Sequence, residues 1–245
     1  MTDRHIVAFG GGGFSDVDPS PIDDYVLDLT GTGRPDVCFL ATATGDDARY
    51  LVRFYERLSR RARASHLALF ATPLPDVRAQ LLDQDVVYVG GGSTASMLGV
   101  WRAHHVDQVL REVWDQGGVL CGVSAGGMCW FEGGVTDSVG PELGALTDGL
   151  GLLAGSFCPH LDSEPGRRGV FHALVADGVL PGGYALDDGV ALRFSGSELA
   201  EVVSERSGAS AFKVESVEGR IVETPMPARR LADSPATGGE RGVPE

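Results

Sequence analysis

The stretch Val119–Trp130, VLCGVSAGGMCW, joins a short apolar run to a serine that is flanked by glycines. Residues 119–121 have the composition of a buried strand, and Gly122–Gly126 matches the pattern G-x-S-x-G. Small residues around Ser124 allow a sharp strand-to-helix turn, which would expose the serine Oγ. A helix-compatible segment follows at residues 128–131. The stretch therefore predicts a nucleophile elbow whose helix N-terminus and backbone N–H groups face a developing oxyanion.

Composition narrows the class of protein. The chain has 245 residues, of which 43% are hydrophobic and 22% are charged, which is typical of a globular protein with one sizeable core. A net charge of −14 argues against nucleic acid and anionic membranes as partners. No signal peptide and no run of roughly 20 apolar residues is evident. These features predict a cytoplasmic protein with one domain at residues 1–231 and a disordered tail at 232–245.

The four cysteines form no C-x-x-C pair, which favours reduced, structural thiols over a redox or zinc site. They are Cys38, Cys121, Cys129 and Cys158. The sequence also offers no cluster of metal ligands, because the His-Leu-Asp of residues 160–162 is too little by itself. We therefore expect neither a metal nor a cofactor.

Upstream of the elbow, apolar strands alternate with amphipathic helices, which predicts a parallel sheet with helices on both faces. The predicted strands are His5–Phe9, Asp36–Thr42, Ala64–Phe70, Asp85–Val89 and Val119–Cys121. The predicted helices are Pro21–Leu29, Tyr50–Arg63, Val77–Leu82, one beginning at Ser96–Trp101, and Val106–Gln116. Ligands of such sheets bind at the carboxyl ends of the strands. The glycine-rich strand exits at Gly90–Thr94 and Gly122–Gly127 are therefore expected to face one crevice.

Downstream of the elbow the pattern is less regular. Residues 132–146 are predicted to be rich in loops, and Arg167–Ala176 is predicted to be helical. The remaining predicted strands are Tyr184–Leu186, Gly189–Phe194, Glu198–Glu205 and Ala211–Glu223, of which the last two form an antiparallel edge. The run Gly10–Gly13 lacks the Lys-Ser/Thr of a phosphate-binding loop, so a tight turn is favoured over a nucleotide site.

A serine nucleophile needs a base, and six histidines are available. His160 is the favoured partner, because it follows Pro159 in a loop after the elbow and has Asp162 and Glu164 as neighbours. The chain order does not suit an α/β-hydrolase, in which the histidine comes late. A class I glutamine amidotransferase would carry cysteine at the position of Ser124.

Four segments together resemble the peptidase E group, serine peptidase family S51, which includes aspartyl dipeptidase and the cyanophycinases. They are VYVGGGST (87–94), GVSAGGMCWF (122–131), CPHLD (158–162) and YALDDGVAL (184–192). The resemblance covers about residues 5–225. It implies a three-layer α/β/α sandwich with a mainly parallel sheet, similar to class I glutamine amidotransferases and flavodoxin. It also implies cleavage of short peptides at an aspartyl bond, as in dipeptides with N-terminal Asp, by a monomer or homodimer.

Carried onto this chain, the resemblance makes Ser124 the nucleophile, His160 the base and Asp188 the orienting acid. Family members use Ser-His-Glu or a close variant, so the aspartate is a departure, one methylene shorter than glutamate. Asp187 and Asp137 are the fallback acids.

The remaining roles concern the oxyanion and the substrate. The backbone N–H groups of Ala125 and of the Gly91–Gly92 loop, with Gly92 as the second donor, would form the oxyanion hole. Arg167 and Arg168 would hold the substrate carboxylate. Ser93 and Thr94 would hold the peptide termini. Two alternatives stay open: an esterase or amidase with the same machinery, and a non-catalytic binding protein that keeps the elbow.

Overall fold

A computed structural model describes residues 4–16 and 19–232. Positions 233–245 of the predicted tail lie outside the described residues. Strands and helices are numbered in chain order. The strands are β1 (His5–Phe9), β2 (Asp36–Leu40), β3 (Arg63–His66), β4 (Val86–Val89), β5 (Val119–Val123), β6 (Phe131–Thr136), β7 (Gly144–Leu146), β8 (Leu153–Cys158), β9 (Gly183–Leu186), β10 (Val190–Ser195), β11 (Glu198–Ser204), β12 (Ala211–Val217), β13 (Arg220–Met226) and β14 (Arg229–Arg230). The helices are α1 (Pro21–Asp28), α2 (Ala48–Leu58), α3 (Val77–Leu82), α4 (Thr94–Ala103), α5 (Val106–Asp115), α6 (Ala125–Met128) and α7 (Arg167–Ala176).

The central sheet has the strand order β14-β11-β10-β1-β5-β4-β2-β3. Five strands are parallel to one another, in the order β1, β5, β4, β2 and β3. Strand β10 pairs antiparallel with β1 on its other side. The predicted, mainly parallel sheet is therefore confirmed. The carboxyl ends of β1, β5 and β4 meet at one edge, at Phe9, Val123 and Val89, and the glycine-rich turns leave the sheet there.

Side chains that alternate along the strands face two separate apolar cores. Ile6 of β1 belongs to a core that also holds Trp101 of α4 and Leu110 of α5. Val7 belongs to a second core, with Phe54 of α2 among its members. Because β1 is buried on both faces, Ile6–Phe9 is an unbroken apolar run in the sequence. The expected α/β/α layering is confirmed.

A second sheet, with strand order β13-β12-β9-β8-β6-β7, corrects two expectations. Residues 132–146 were predicted to be rich in loops, but they contain most of β6 and all of β7, with a loop only at 137–143. The predicted antiparallel edge is divided between the two sheets, because β11 joins the central sheet while β12 and β13 form a hairpin in the second. Gly133 and Gly134 explain the first error. A Cβ on either would lie 2.2 Å from a carbonyl oxygen, of Leu146 or of Phe157. These glycines permit close approach of backbones, although glycine usually indicates a loop.

Several element boundaries also differ from the predictions. Helix α2 begins at Ala48, because the Asp47 side chain accepts hydrogen bonds from the N–H groups of Arg49 and Tyr50 and so caps the helix. Strand β3 ends at His66 rather than at residue 70. The helix predicted at residues 128–131 is the single turn α6, which ends at Met128.

The cysteine prediction agrees with the structure. All four cysteines are unpaired and buried. Burial raises the pKa of the Cys38 and Cys158 thiols to about 12, so both stay protonated at neutral pH. Within residues 4–16 and 19–232, none of the helices has the length and apolar character needed to cross a bilayer.

Candidate active site

Ser124 occupies a strained turn between β5 and α6. Its backbone has φ 56° and ψ −113°, in a region that non-glycine residues rarely adopt, and its N–H donates to the Phe9 carbonyl at the end of β1 (3.0 Å). A Cβ on Gly122 would lie 2.3 Å from the Gly126 carbonyl oxygen, so the turn is too tight for larger residues. The predicted elbow is present, and its small residues are required by packing.

His160 connects the serine to a carboxylate. The imidazole lies just after β8, and its side chain is 20% exposed. Its Nε2 atom lies 2.8 Å from Ser124 Oγ, and its Nδ1 atom lies 2.7 Å from Asp188 Oδ1. Both are hydrogen-bond distances, so the three side chains form one continuous chain of hydrogen bonds.

Asp188 lies in the turn between β9 and β10. Burial acts to raise the pKa of its carboxyl, but hydrogen bonds from His160 and Ser163 outweigh burial and hold the pKa below its ordinary value. Asp188 is therefore ionised at neutral pH. An ionised carboxylate at Nδ1 fixes the tautomer in which Nε2 accepts a proton from Ser124.

Neither fallback acid occupies this position. The Asp187 Oδ2 atom accepts a hydrogen bond from the Ser210 N–H (2.9 Å), and burial raises the pKa of that carboxyl. Asp137 is exposed and follows the end of β6. Among the described residues, Asp188 is the carboxylate bonded to His160.

The candidate oxyanion donors are the residue after Ser124 and the glycine loop that follows β4. A Cβ on Gly91 would lie 3.4 Å from Ser124 Cβ, so this loop lies against the serine. The Gly91 N–H donates to the Tyr50 hydroxyl (3.3 Å), whereas in the described part of the chain the N–H groups of Gly92 and Ala125 meet no protein acceptor. Because α6 is one turn long, the expected helix dipole contributes little, and stabilisation would come from single N–H groups.

The comparisons with known proteins identify the family of this chain. The model of the family described as "Peptidase family S51" matches residues 6–202. This chain belongs to peptidase family S51. It is 46% identical over 230 residues to the "Uncharacterized peptidase YgaJ" of Bacillus subtilis (strain 168), covering 93% of this chain and 99% of that protein. The S51 resemblance seen in the four sequence segments is confirmed, and the chain is a serine-type peptidase.

Two solved structures share the fold. A peptidase from an acI-B1 Actinobacterium superposes with a TM-score of 0.68 at 18% identity, over 92% of this chain and 95% of its own. A putative peptidase E protein from Listeria monocytogenes EGD-e superposes with a TM-score of 0.60 at 19% identity, over 83% of this chain and 98% of its own. At these identities the likeness shows that the three proteins share a fold, and no more.

The two arginines expected to bind substrate are engaged elsewhere in this S51 peptidase. Arg167 is 4% exposed, and its guanidinium donates to Glu164 and to the Val135 carbonyl. Arg168 pairs with Glu223 and lies over the Phe212 ring. These contacts argue against the predicted role, because both guanidinium groups already have internal partners.

Ser93 and Thr94 have structural contacts at the start of α4. The Ser93 hydroxyl caps the helix by accepting from the Ser96 N–H (3.3 Å), and the Ser93 N–H donates to the Ala43 carbonyl. Thr94 is 1% exposed. The capping pattern S-x-x-S could have indicated a helix start here.

Sequence reasoning missed Gly11 in the four-glycine run. A Cβ on Gly11 would lie 2.1 Å from Asp188 Oδ1 and 3.1 Å from His160 Nδ1. The backbone of this loop therefore packs directly on the acid and the base. The Gly11 carbonyl also accepts a hydrogen bond from the Gly189 N–H (3.0 Å). The glycine run is thus a turn that packs against Asp188 and His160.

A buried polar network lies beneath the same loop. Glu205 is 6% exposed and accepts hydrogen bonds from the Gly13 N–H and the Ser20 hydroxyl. The Tyr88 hydroxyl donates to Asp23 (3.0 Å). Burial raises the pKa of Asp23 to about 8; the Tyr88 hydrogen bond lowers it and the charge of Glu205 raises it. Asp23 is therefore largely protonated at neutral pH.

Within the part of the chain that the structure describes, no group of three or more His, Cys, Asp or Glu side chains could hold a metal ion. The chemistry that the site offers is that of a hydroxyl, an imidazole, a carboxylate and backbone N–H groups.

Proposed function

We propose that this S51 peptidase hydrolyses short peptides at an aspartyl bond, with Ser124, His160 and Asp188 as its catalytic triad. The observation that carries the proposal is the unbroken hydrogen-bonded chain from Ser124 Oγ through the imidazole to Asp188 Oδ1, at 2.8 and 2.7 Å. The arrangement has the order and spacing that activates a serine hydroxyl as a nucleophile.

The reaction proceeds in two halves. Ser124 Oγ attacks the peptide carbonyl while His160 Nε2 takes the hydroxyl proton, and the same proton passes to the leaving amine as the C–N bond breaks. Water then attacks the acyl-enzyme with His160 again as the base, and the carboxylate product leaves as Ser124 regains its proton. Asp188 stays ionised and stabilises the imidazolium.

The oxyanion is stabilised by the N–H groups of Gly92 and Ala125. Ala125 follows Ser124 in the chain, and Gly92 follows Gly91, on which a Cβ would lie 3.4 Å from Ser124 Cβ; neither N–H group has a protein acceptor among the described residues. Loss of one such donor typically lowers the rate by about 100- to 1000-fold. The elbow strain at Ser124 is consistent with a residue held in position for chemistry.

The aspartyl preference is supported by the resemblance to the peptidase E group. Among the described residues, Arg206 is the arginine whose guanidinium contacts the triad directly, because it donates to the Asp188 carbonyl (2.9 Å). A chain with a net charge of −14 needs some local cation or donor set to admit an acidic side chain. A comparison of the cleavage rates of aspartyl and neutral peptides therefore tests the substrate class.

A fluorophosphonate probe tests the nucleophile separately from the substrate. We expect mass spectrometry to find the adduct on Ser124 in the wild type and no adduct in Ser124→Ala. Ser93→Ala is a matched control, because Ser93 comes two residues after Gly91, on which a Cβ would lie 3.4 Å from Ser124 Cβ. Labelling of another serine, or equal labelling of Ser124→Ala, would contradict the assignment.

A further inference from the structure

An ion pair holds the main chain of Asp188 from both sides. The Asp188 N–H donates to Asp162 Oδ1 (2.9 Å), and Arg206 Nη1 donates to the Asp188 carbonyl (2.9 Å). The same Arg206 nitrogen lies 3.0 Å from Asp162 Oδ2. Asp162 and Arg206 thus close a ring of hydrogen bonds around one residue, and we call this pair the Asp188 clamp.

The clamp joins three loops that are distant in sequence. Asp162 comes two residues after His160, in the segment between β8 and α7, and Arg206 follows β11. The clamp therefore ties the loop of the base to the loop of the acid. The Arg206 main-chain N–H donates to the Ser204 hydroxyl (3.0 Å), which anchors the third loop.

The aliphatic part of Arg206 covers the residue next to Asp188. A Cβ on Gly189 would lie 2.7 Å from Arg206 Cδ, so the side chain packs closely against this turn. Arg206 therefore restrains the turn by packing as well as by hydrogen bonding. Arg206 also lies beyond residues 6–202, the stretch that the family model matches.

We propose that Asp162 and Arg206 are positioning residues that set the reach of the Asp188 carboxylate toward His160; this inference rests on the proposed function. An aspartate has one methylene fewer than a glutamate, so its carboxylate reaches the imidazole only when its backbone is held close. A displacement of about 1 Å in a catalytic group can cost about 100-fold in rate.

An ordinary surface ion pair would not bond to both sides of the main chain of a third residue, as Asp162 and Arg206 do at Asp188. Arg63 and Asp36 form such a pair at the amino ends of β3 and β2, with Nε–Oδ1 and Nη2–Oδ2 distances of 2.6 and 2.5 Å. Their side chains are 55% and 38% exposed, close to the 47% and 31% of Arg206 and Asp162. This pair is a matched control, since it lies at the opposite end of the parallel strands from Ser124.

The test compares kcat and KM for Arg206→Ala, Asp162→Ala and Asp162→Asn with those of Arg63→Ala. We expect kcat to fall about 10- to 100-fold in the two clamp alanine variants, with little change in KM. Asp162→Asn keeps an oxygen that can accept the Asp188 N–H but turns an NH2 group toward Arg206 Nη1, so its kcat should lie between those of Asp162→Ala and the wild type. Arg63→Ala should resemble the wild type, and circular dichroism should show that all four variants are folded.

Two results would overturn the clamp. Unchanged kcat in folded Arg206→Ala and Asp162→Ala would make the pair an ordinary surface contact. A raised KM with unchanged kcat in Arg206→Ala would make Arg206 a substrate contact instead of a positioning residue.

A spectroscopic measurement separates failure of the clamp from failure of the proposed function. A histidine Nδ1 proton bonded to a carboxylate gives a low-field ¹H resonance, which needs no substrate. If the wild type cleaves no peptide, the proposed function fails, yet the resonance of the His160–Asp188 hydrogen bond still reports on the clamp. The clamp requires this resonance to broaden or disappear in Arg206→Ala and to persist in Arg63→Ala. An unchanged resonance in Arg206→Ala would refute it.

Discussion

Asp188 Oδ1 lies 2.7 Å from His160 Nδ1, so an aspartate reaches the imidazole where the peptidase E group commonly uses glutamate. The shorter side chain is compensated by the backbone, because Gly11 leaves room for the carboxylate and the Asp188 main chain is bonded on both sides.

Asp188→Asn should lower kcat/KM by about 1000- to 10,000-fold, because a neutral amide neither fixes the tautomer of His160 nor stabilises the imidazolium. Asp187→Asn is the matched control. Its amide oxygen can still accept from the Ser210 N–H, so it should keep nearly full activity. The measurement is kcat/KM of both variants by steady-state kinetics. A large loss in Asp187→Asn with a normal rate in Asp188→Asn would move the role to Asp187.

Gly11→Ala should abolish most activity while the protein remains folded. The added methyl would lie 2.1 Å from Asp188 Oδ1 and must displace the acid from the imidazole. Gly99→Ala serves as the control, since a Cβ there meets nothing within 4 Å and Gly99 lies within α4. The measurement is kcat together with the thermal midpoint. Equal activity in the two variants would show that the glycine loop does not support the triad.

Asp23 should make the free energy of unfolding depend on pH. Its pKa is about 8 in the folded protein and near 3.8 otherwise, so the folded state binds more protons between these values. The stability that the protonated carboxyl contributes is complete below pH about 4, declines as the pH rises and is lost above about 8.

The test is urea unfolding of the wild type and Asp23→Asn at pH 5 and pH 8.5. The amide cannot ionise and keeps an oxygen that can accept from Tyr88. Between pH 5 and pH 8.5, the free energy of unfolding of the variant should therefore rise relative to that of the wild type by more than about 1.4 kcal/mol, the equivalent of one pKa unit. If the two proteins differ in their free energy of unfolding by the same amount at both pH values, Asp23 titrates near its ordinary range.

Arg168→Ala should not change the preference between acidic and neutral substrates. Its guanidinium pairs with Glu223 and lies 4.5 Å from the Phe212 ring centroid, so its loss removes contacts within the protein. The measurement is the ratio of KM values for Asp-X and Ala-X peptides. A rise in KM confined to the aspartyl peptide would restore the substrate role that the sequence suggested.

The sequence predicted those parts of the site that depend on local pattern. Ser124 could be recognised because its neighbours are small and follow an apolar strand, and the segments around His160 and Asp188 resembled known ones. Gly11, Asp162 and Arg206 could not be found in this way. Asp162 and Arg206 are 44 residues apart, and their meeting depends on how three loops fold together.

The second sheet was missed for a related reason. Gly133 and Gly134 in β6 have the composition of a loop, but a strand requires glycine where a neighbouring carbonyl oxygen would lie only 2.2 Å from a Cβ atom. The sequence shows where the glycines are, but it does not show which strands pack beside them. Strand β1, in contrast, was predicted with its exact bounds because burial on both faces makes Ile6–Phe9 continuously apolar.

The central claim is that Ser124 cleaves aspartyl peptide bonds, and the most direct measurement is hydrolysis of paired Asp-X and Ala-X dipeptides by the wild type and Ser124→Ala. We expect the wild type to release X from the Asp-X peptides with a clear preference over Ala-X, and Ser124→Ala to release none while remaining folded. Cleavage by Ser124→Ala at the wild-type rate, or equal cleavage of both peptide series by the wild type, would contradict the account.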